Sequence, residues 1–237
     1  MAGGVMDAVL KVVLRLVVAS TLGACAVGAA GWAVARRELA GWPVWSRRVV
    51  IACGVLVGAC AGALAASWLE TVELLVILFA LLACSVADLG RRIIPNRAVA
   101  VVLGARAAYL ALGLLVSCAS GVACSWAFEG MCASLAGGLT VLLVLAAVRL
   151  FLMCARGCPR GDLGGGDVKL LVACGVCLGP VGGAACVVLS CVLSLAFCMG
   201  AWGFERVRGV ARAFPSSFPL APEVLASVVI LTAYRAI

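Results

Sequence analysis

Long apolar segments alternate with short polar loops along most of the chain. A helix needs about 20 apolar residues to cross a bilayer, and most of these segments reach or approach that length. A transmembrane barrel would instead show short strands in which apolar and polar residues alternate. The pattern therefore predicts an all-α, polytopic transmembrane helical bundle with about eight spans, because helices satisfy their own backbone hydrogen bonds in lipid. The predicted spans are about 12–35, 49–68, 71–88, 98–117, 131–153, 168–182, 184–203 and 219–236.

A glycine-rich break separates the sixth predicted span from the seventh. Its sequence is Gly179-Pro-Val-Gly-Gly183, and a proline interrupts the helix that precedes it. The sixth span is short, so we expect a partial or tilted crossing. We divide the single membrane domain into an N-terminal two-helix region with a short basic loop, residues 1–70, and a membrane core, residues 71–237.

Composition and charge agree with a membrane protein. The chain is 66% hydrophobic and only 12% charged, with a net charge of +8, whereas soluble domains carry about 25% charged residues. Of the 18 lysines and arginines, 14 lie in or beside four loops on one side of the eight-span arrangement. These loops lie near residues 36–48, 91–97, 149–169 and 206–212. The positive-inside rule places them in the cytoplasm and both termini outside, so the positive charge needs no nucleic-acid partner.

The N-terminal segment permits two interpretations. Lys11 and Arg15 precede an apolar stretch and the sequence LGAC at Leu22–Cys25, which resembles a lipoprotein cleavage box. The apolar run continues to Arg36, however, and is longer than a signal peptide needs. We therefore expect a retained first helix.

Cysteine is abundant, but its pattern does not favour a metal site. Most of the 14 cysteines lie inside apolar runs, where cysteine behaves as a small hydrophobic residue. Cys174 and Cys177 form a single CxxC pair without a second pair at zinc-ribbon spacing, and the chain has no histidine. The sequence predicts neither a metal nor a cofactor.

The first stretch with candidate chemistry is VADLGRRIIPNRA, in which Asp88 ends the third apolar segment. Pro95 prevents simple continuation of the helix, and Asn96 suits the turn before the fourth span. A carboxylate at a helix C-terminus meets the unfavourable end of the helix dipole, which suggests a functional reason for its presence. The alternative is a solvated acid at the membrane interface.

The second stretch is ARGCPRGDLGGGDVKLL, in which Asp167 follows three glycines and precedes the sixth span. A helix cap alone would explain the aspartate, but it would not require Gly164, Gly165 and Gly166. Glycines permit close backbone approach and positive φ, as a site that admits an extended peptide would need. Phosphate binding is disfavoured, because neither GxxxxGK[ST] nor a GxGxxG motif after a strand is present.

Two predicted spans separate the aspartates, so Asp88 and Asp167 lie on the same side of the membrane. A pair of carboxylates that shares one proton is the machinery of an aspartic protease, in which one activates water and the other polarises the scissile carbonyl. The lack of histidine excludes HExxH metalloproteases and Ser-His enzymes. A Ser-Lys dyad remains formally open, although Lys169 has no serine near it in sequence.

Both stretches resemble signatures of one family. DLGRRIIPN, from Asp88 to Asn96, is similar to the D-L-x-x-R-x-I-P-N signature of the type IV prepilin peptidases, and GGGDVKLL is similar to their GxGDxK signature. The GxGD part is shared with presenilin-like aspartic proteases. A weaker match is FPLAPEVLAS, from Phe218 to Ser227, which looks like the P-x-A-P turn before the last helix of that family.

The resemblance implies a GxGD-type aspartic endopeptidase in the bacterial plasma (inner) membrane. It would cleave the basic leader of prepilin or pseudopilin substrates at the cytoplasmic face, with pilus assembly machinery as a possible partner besides the lipid bilayer. Asp88 and Asp167 would be the catalytic pair. The residues expected to support the substrate and the loops are Gly164, Gly166, Lys169, Pro95 and Asn96.

The chain departs from the family pattern in three respects. Many members carry a cytoplasmic domain with two CxxC pairs, which is linked to methylation by S-adenosylmethionine. The corresponding loop here, Arg36 to Arg48, has no cysteine, so the chain resembles the short Tad/Flp-type members and needs no cofactor for cleavage. Gly90 replaces a commonly polar position, and Glu223 is an unexpected acid in the last helix.

Two alternative functions stay open at this point. Carboxylates in the membrane and Arg106, inside the fourth span, are also typical of a small transporter. Against a transporter, the acids lie at the ends of the spans, and no inverted repeat is visible. The other alternative is a non-catalytic assembly component of a pilus or secretion system, although such a protein would not need an intact aspartate pair.

Overall fold

A computed structural model describes most of the chain. The described residues are 44–64, 67–120, 125–156, 164–207 and 219–236, together with the single positions Val18, Thr21 and Cys25. Most of the first predicted span, most of the basic loop 36–48 and Asp162 lie outside the described residues.

Every regular element among the described residues is an α-helix, which confirms the predicted all-α class. We number these helices α1 to α6. They are α1 Val44–Leu64, α2 Trp68–Arg91, α3 Asn96–Ser120, α4 Ser125–Arg156, α5 Gly165–Val207 and α6 Ala221–Ala236.

Four helical stretches in the described part of the chain are long and apolar enough to cross a membrane. They are Trp68–Arg91, Asn96–Ser120, Ser125–Phe151 and Gly165–Gly203. The first three of these stretches correspond to the third, fourth and fifth predicted spans, and their boundaries differ from the predicted ones by a few residues. The total of about eight spans stays a prediction.

The helix α5 doubles back at Gly179, where φ is 73° and ψ is −178°. A Cβ atom on Gly183 would lie only 2.9 Å from the Cα of Gly175, whereas eight residues of continuous helix rise about 12 Å. The side chains of Cys174 and Cys186 also meet across the bend. The predicted break between the sixth and seventh spans is therefore confirmed. The first half, with 14 residues before Gly179, is about 21 Å long, which suits the predicted partial crossing.

Local capping defines both ends of α2. Ser67 lies before the first turn, and its hydroxyl accepts a hydrogen bond from the Glu70 N–H at 3.1 Å. At the other end, Arg92 adopts a left-handed conformation, and its N–H donates to the carbonyl of Asp88 at 2.8 Å. This bond satisfies one of the last carbonyls of α2. Asp88 is thereby held in the final turn, as the sequence predicted.

The core joins α2, α3, α5 and α6. Leu81, Val102, Leu170 and Val224, one from each of these helices, have no exposed surface. Large apolar side chains on the outside, such as Leu135 and Val188, are 69% and 61% exposed. An apolar exterior around a packed interior is what a helical bundle in lipid requires.

Glycines bring α4 into close contact with both halves of α5. A Cβ on Gly175 would lie 2.6 Å from a methyl of Val141 and 2.8 Å from the carbonyl oxygen of Gly137. On Gly183 it would lie 2.9 Å from the same methyl group. Small residues at such contacts let helix backbones approach and gain van der Waals packing in lipid.

The two ends of the bundle differ in chemistry. Asp88 lies in the last turn of α2, while Glu73 lies in its second turn. Fifteen residues of helix separate them, which corresponds to about 22 Å. The chain runs along α3 from the Asp88 end to the Glu73 end and along α4 in the opposite direction. The start of α5 therefore lies at the Asp88 end.

Candidate active site

Asp88 is buried at the end of α2, with 6% of its surface exposed. Its carboxylate does not point into solvent. Instead, Oδ2 accepts a hydrogen bond from the backbone N–H of Ala221, the first residue of α6, at 3.1 Å. The positive end of α6 therefore faces Asp88 and offsets the unfavourable C-terminal end of α2.

Asp167 lies in the first turn of α5 and is partly buried. The N–H of Gly164 donates to its carboxylate, and the carbonyl of Gly164 accepts from the N–H of Val168 at 3.2 Å. Asp88 is close enough to act on Asp167 electrostatically. The two aspartates, 79 residues apart in sequence, thus lie at one site on different helices.

The glycines before Asp167 allow neighbouring atoms to lie close to the backbone at the start of α5. A Cβ on Gly166 would lie 3.1 Å from the Cβ of Ile94, and one on Gly164 would lie 2.9 Å from Oδ2 of Asp167. Gly165 and Gly166 do not have positive φ, so close approach is the property of glycine that the described site uses. In the described part of the chain, positive φ occurs at Arg92 and Gly179.

Further contacts hold the two stretches together. Lys169 is exposed, and its Nζ donates to the side-chain oxygen of Asn96 at 3.3 Å. The carbonyl of Pro95 accepts hydrogen bonds from the N–H groups of Ala98 at 3.0 Å and Val99 at 3.3 Å, which starts α3. Lys169 and Asn96 therefore tie the loop after Asp88 to the start of α5, whereas Pro95 caps the start of α3.

The last helix contributes more than the sequence indicated. The P-x-A-P resemblance pointed to a turn before α6, but not to a hydrogen bond from Ala221 to Asp88. Glu223, in the first turn of α6, is also buried, and Asp88 acts on it electrostatically. The only sequence signal for this third acid was its unexpected charge in an apolar helix.

A second polar cluster lies at the opposite end of the bundle. Arg106 forms an ion pair with Glu73 at 3.2 Å, and its Nε donates to the hydroxyl of Ser134 at 2.9 Å. The pair borders a cavity of about 460 Å³, which is also lined by Glu70 and Arg235. Arg106, which suggested a transporter, thus has a protein partner for its charge.

In the described part of the chain, cysteine, aspartate and glutamate side chains form no group of three or more that could hold a metal ion. Cys174, from the lone CxxC pair, is buried against Cys186, and Cys177 lies 3.9 Å from the carbonyl of Val102. Both cysteines of the pair are therefore packed within the helical core.

The fold and the site together define a helical membrane protein in which two carboxylates meet at one end of the bundle. Residues 75–199, more than half of the chain, match the family model of the type IV leader peptidase family. The chain therefore belongs to the type IV leader peptidase family, as the two motifs predicted. No curated protein and no solved structure matches it. The matched residues include both aspartates and end before α6.

Proposed function

We propose that the chain is an aspartic endopeptidase that removes the leader of a prepilin or pseudopilin at the cytoplasmic face of the bacterial inner membrane. The observation that carries this proposal is the placement of Asp88 and Asp167, which come from different helices and act on each other at one end of the bundle. Membership of a leader peptidase family supports the same chemistry.

The proposed mechanism uses the two aspartates as an acid–base pair. One carboxylate accepts a proton from water as the water oxygen attacks the scissile carbonyl carbon. The protonated partner donates its proton to the carbonyl oxygen, which gives a neutral tetrahedral diol. When the diol collapses, the carbon–nitrogen bond breaks, and the amide nitrogen gains a proton from one carboxyl group. A diol hydroxyl gives its proton to the other carboxylate, which forms the carboxylic acid product and restores the pair.

The remaining site residues hold this pair in position. The Ala221 N–H orients Asp88, Gly166 lets the start of α5 approach the loop after α2, and Gly164 leaves room for the Asp167 carboxylate. Lys169 and Asn96 tie the same segments together. We propose that this arrangement leaves the mouth of the site open toward the cytoplasm, where the basic loops lie by the positive-inside rule.

The decisive experiment combines cleavage with a double-mutant cycle. Membranes that contain the wild-type chain are incubated with each candidate prepilin. The new N-terminus of the product is then sequenced, and the mass of the product is measured by mass spectrometry. We expect an unmethylated product without S-adenosylmethionine. Asp88→Asn and Asp167→Asn should each lower the rate by at least about 10³-fold, and the double variant should be no slower than either, because the two residues act as a unit.

Asp162→Asn is the matched control, since it removes an acid from the same loop sequence without touching the proposed pair. It should retain most of the activity, and all variants should accumulate in the membrane. A folded Asp167→Asn protein that cleaves at a rate near wild type would refute the proposal. The transporter and assembly alternatives would then take its place.

A further inference from the structure

Glu223 lies beside the aspartate pair, although it belongs to neither motif. It sits in the first turn of α6, two residues after Ala221, whose N–H binds Asp88. Only 9% of its surface is exposed. It acts electrostatically on Asp88 and on the buried thiol of Cys198 in the second half of α5. Glu223 is therefore enclosed between α2, α5 and α6 and does not face the lipid.

One oxygen of Glu223 lacks a partner. Oε2 is buried and makes no hydrogen bond within the described part of the chain. The carboxylate does accept a hydrogen bond from the N–H of its own residue. Buried carboxylate oxygens normally have a hydrogen-bond donor or a cation, because leaving them unpaired is costly. The unpaired oxygen of Glu223 thus marks a position for a donor that the described residues do not supply.

The charge around this oxygen indicates what kind of donor fits. Asp88 is the charged neighbour that acts on Asp167, and it also acts on Glu223. If the aspartates share one proton and Glu223 is ionised, the site carries about two negative charges. The N-terminus of α6 contributes only about half a positive charge. Lys169 is exposed and donates to Asn96, so a further cationic group beside Glu223 would complete the balance there.

We infer that Glu223 determines substrate specificity by accepting a hydrogen bond from a lysine or arginine side chain of the substrate close to the scissile bond. The inference rests on the proposed function, and it adds a third acid to the site. Glu223 lies beyond the residues that match the family model, so the family match does not assign it this role. Its position next to Asp88 would hold the cationic residue near the reacting carbonyl.

A cycle between enzyme and substrate tests this inference. The wild type and Glu223→Gln are assayed on the prepilin that the wild type cleaves, and on versions in which each leader lysine or arginine is replaced by glutamine. For one basic position, neutralising the substrate should lower the wild-type kcat/KM about tenfold, mainly through KM, as expected for a charge-assisted hydrogen bond. Glu223→Gln should lose a similar factor on the original substrate, and the combination should lose little more.

Two further variants keep the result unambiguous. Glu223→Asp preserves the charge and should retain the preference for the basic substrate. Glu129→Gln removes an exposed acid on α4 at the far end of the bundle and should change neither rate.

Equal slowing of all substrates by Glu223→Gln would assign the residue a structural role and overturn the inference. No slowing at all, or a cleaved substrate without a nearby basic residue, would overturn it as well. If the wild type cleaves no prepilin, the proposed function itself fails and the inference fails with it. A wild type that cleaves without coupling to Glu223 contradicts the inference alone.

Discussion

Replacing Arg106 with methionine gives a direct measure of what the second polar cluster contributes. The change removes the guanidinium group but retains an unbranched apolar side chain. It breaks the 3.2 Å ion pair to Glu73 and the 2.9 Å hydrogen bond to Ser134. The Glu73 side chain is only 7% exposed, and the Arg106 side chain is 17% exposed.

The size of the effect follows from this burial. A buried charge that loses its partner destabilises the folded state by about 3–5 kcal/mol. Ser134 is 4% exposed, and the loss of its partner adds about 1 kcal/mol. Because Arg106 keeps some access to solvent, we expect about 3 kcal/mol from the ion pair, and with Ser134 a total decrease of about 4 kcal/mol in the free energy of unfolding. For a chain of this length, the midpoint of thermal unfolding should fall by roughly 10 °C.

Thermal unfolding of the purified protein in detergent is the suitable assay. Adding Glu73→Gln to Arg106→Met removes the stranded charge and should recover more than half of the lost stability. Cleavage per folded molecule should stay near the wild-type rate, because this cluster lies about 22 Å from Asp88.

Two results would refute this reasoning. An Arg106→Met protein as stable as the wild type would mean that the pair is solvated and contributes little, as surface ion pairs do. A double variant less stable than Arg106→Met would mean that Glu73 has another favourable role.

Two other predictions concern topology and packing. A reporter fused after Gly161 should behave as cytoplasmic and one fused near Ser125 as external; the reverse pattern would contradict the orientation drawn from the basic loops. Gly175→Ala would place a Cβ 2.6 Å from a methyl of Val141 and should destabilise the fold by about 1–3 kcal/mol. Gly200→Ala, with nothing within 4 Å of the added atom, is its control in thermal unfolding and should be nearly neutral.

Periodicity and motif spacing predicted much of the fold because the membrane restricts the options. Continuous apolar runs can satisfy their backbone only as helices in lipid, so the third to fifth spans were readable from the sequence. The break at Gly179 was also readable, because glycine permits positive φ and Pro180 removes a backbone donor. The exact end of α2 was harder to predict, since a left-handed arginine such as Arg92 has no sequence signature.

The aspartate pair could be predicted because each aspartate lies in a motif of its own and an even number of spans separates them. The contribution of α6 could not. The contact from Ala221 to Asp88 joins residues 133 positions apart, and its donor is a backbone N–H that any residue except proline could supply. No pattern of side chains in the sequence predicts such a bond. The family signature therefore located the acids but not everything that surrounds them.

The bond from Ala221 to Asp88 also sets an order of events during biosynthesis. Both aspartates are translated before α6, so a nascent chain carries the complete pair while the donor for Asp88 is still missing. At about 5–20 residues per second, the ribosome needs roughly 3–10 s to proceed from Asp167 to Ala221. Asp88 therefore gains its backbone donor only after α6 has left the ribosome. Translation thus completes the surroundings of Asp88 only when α6 has been made.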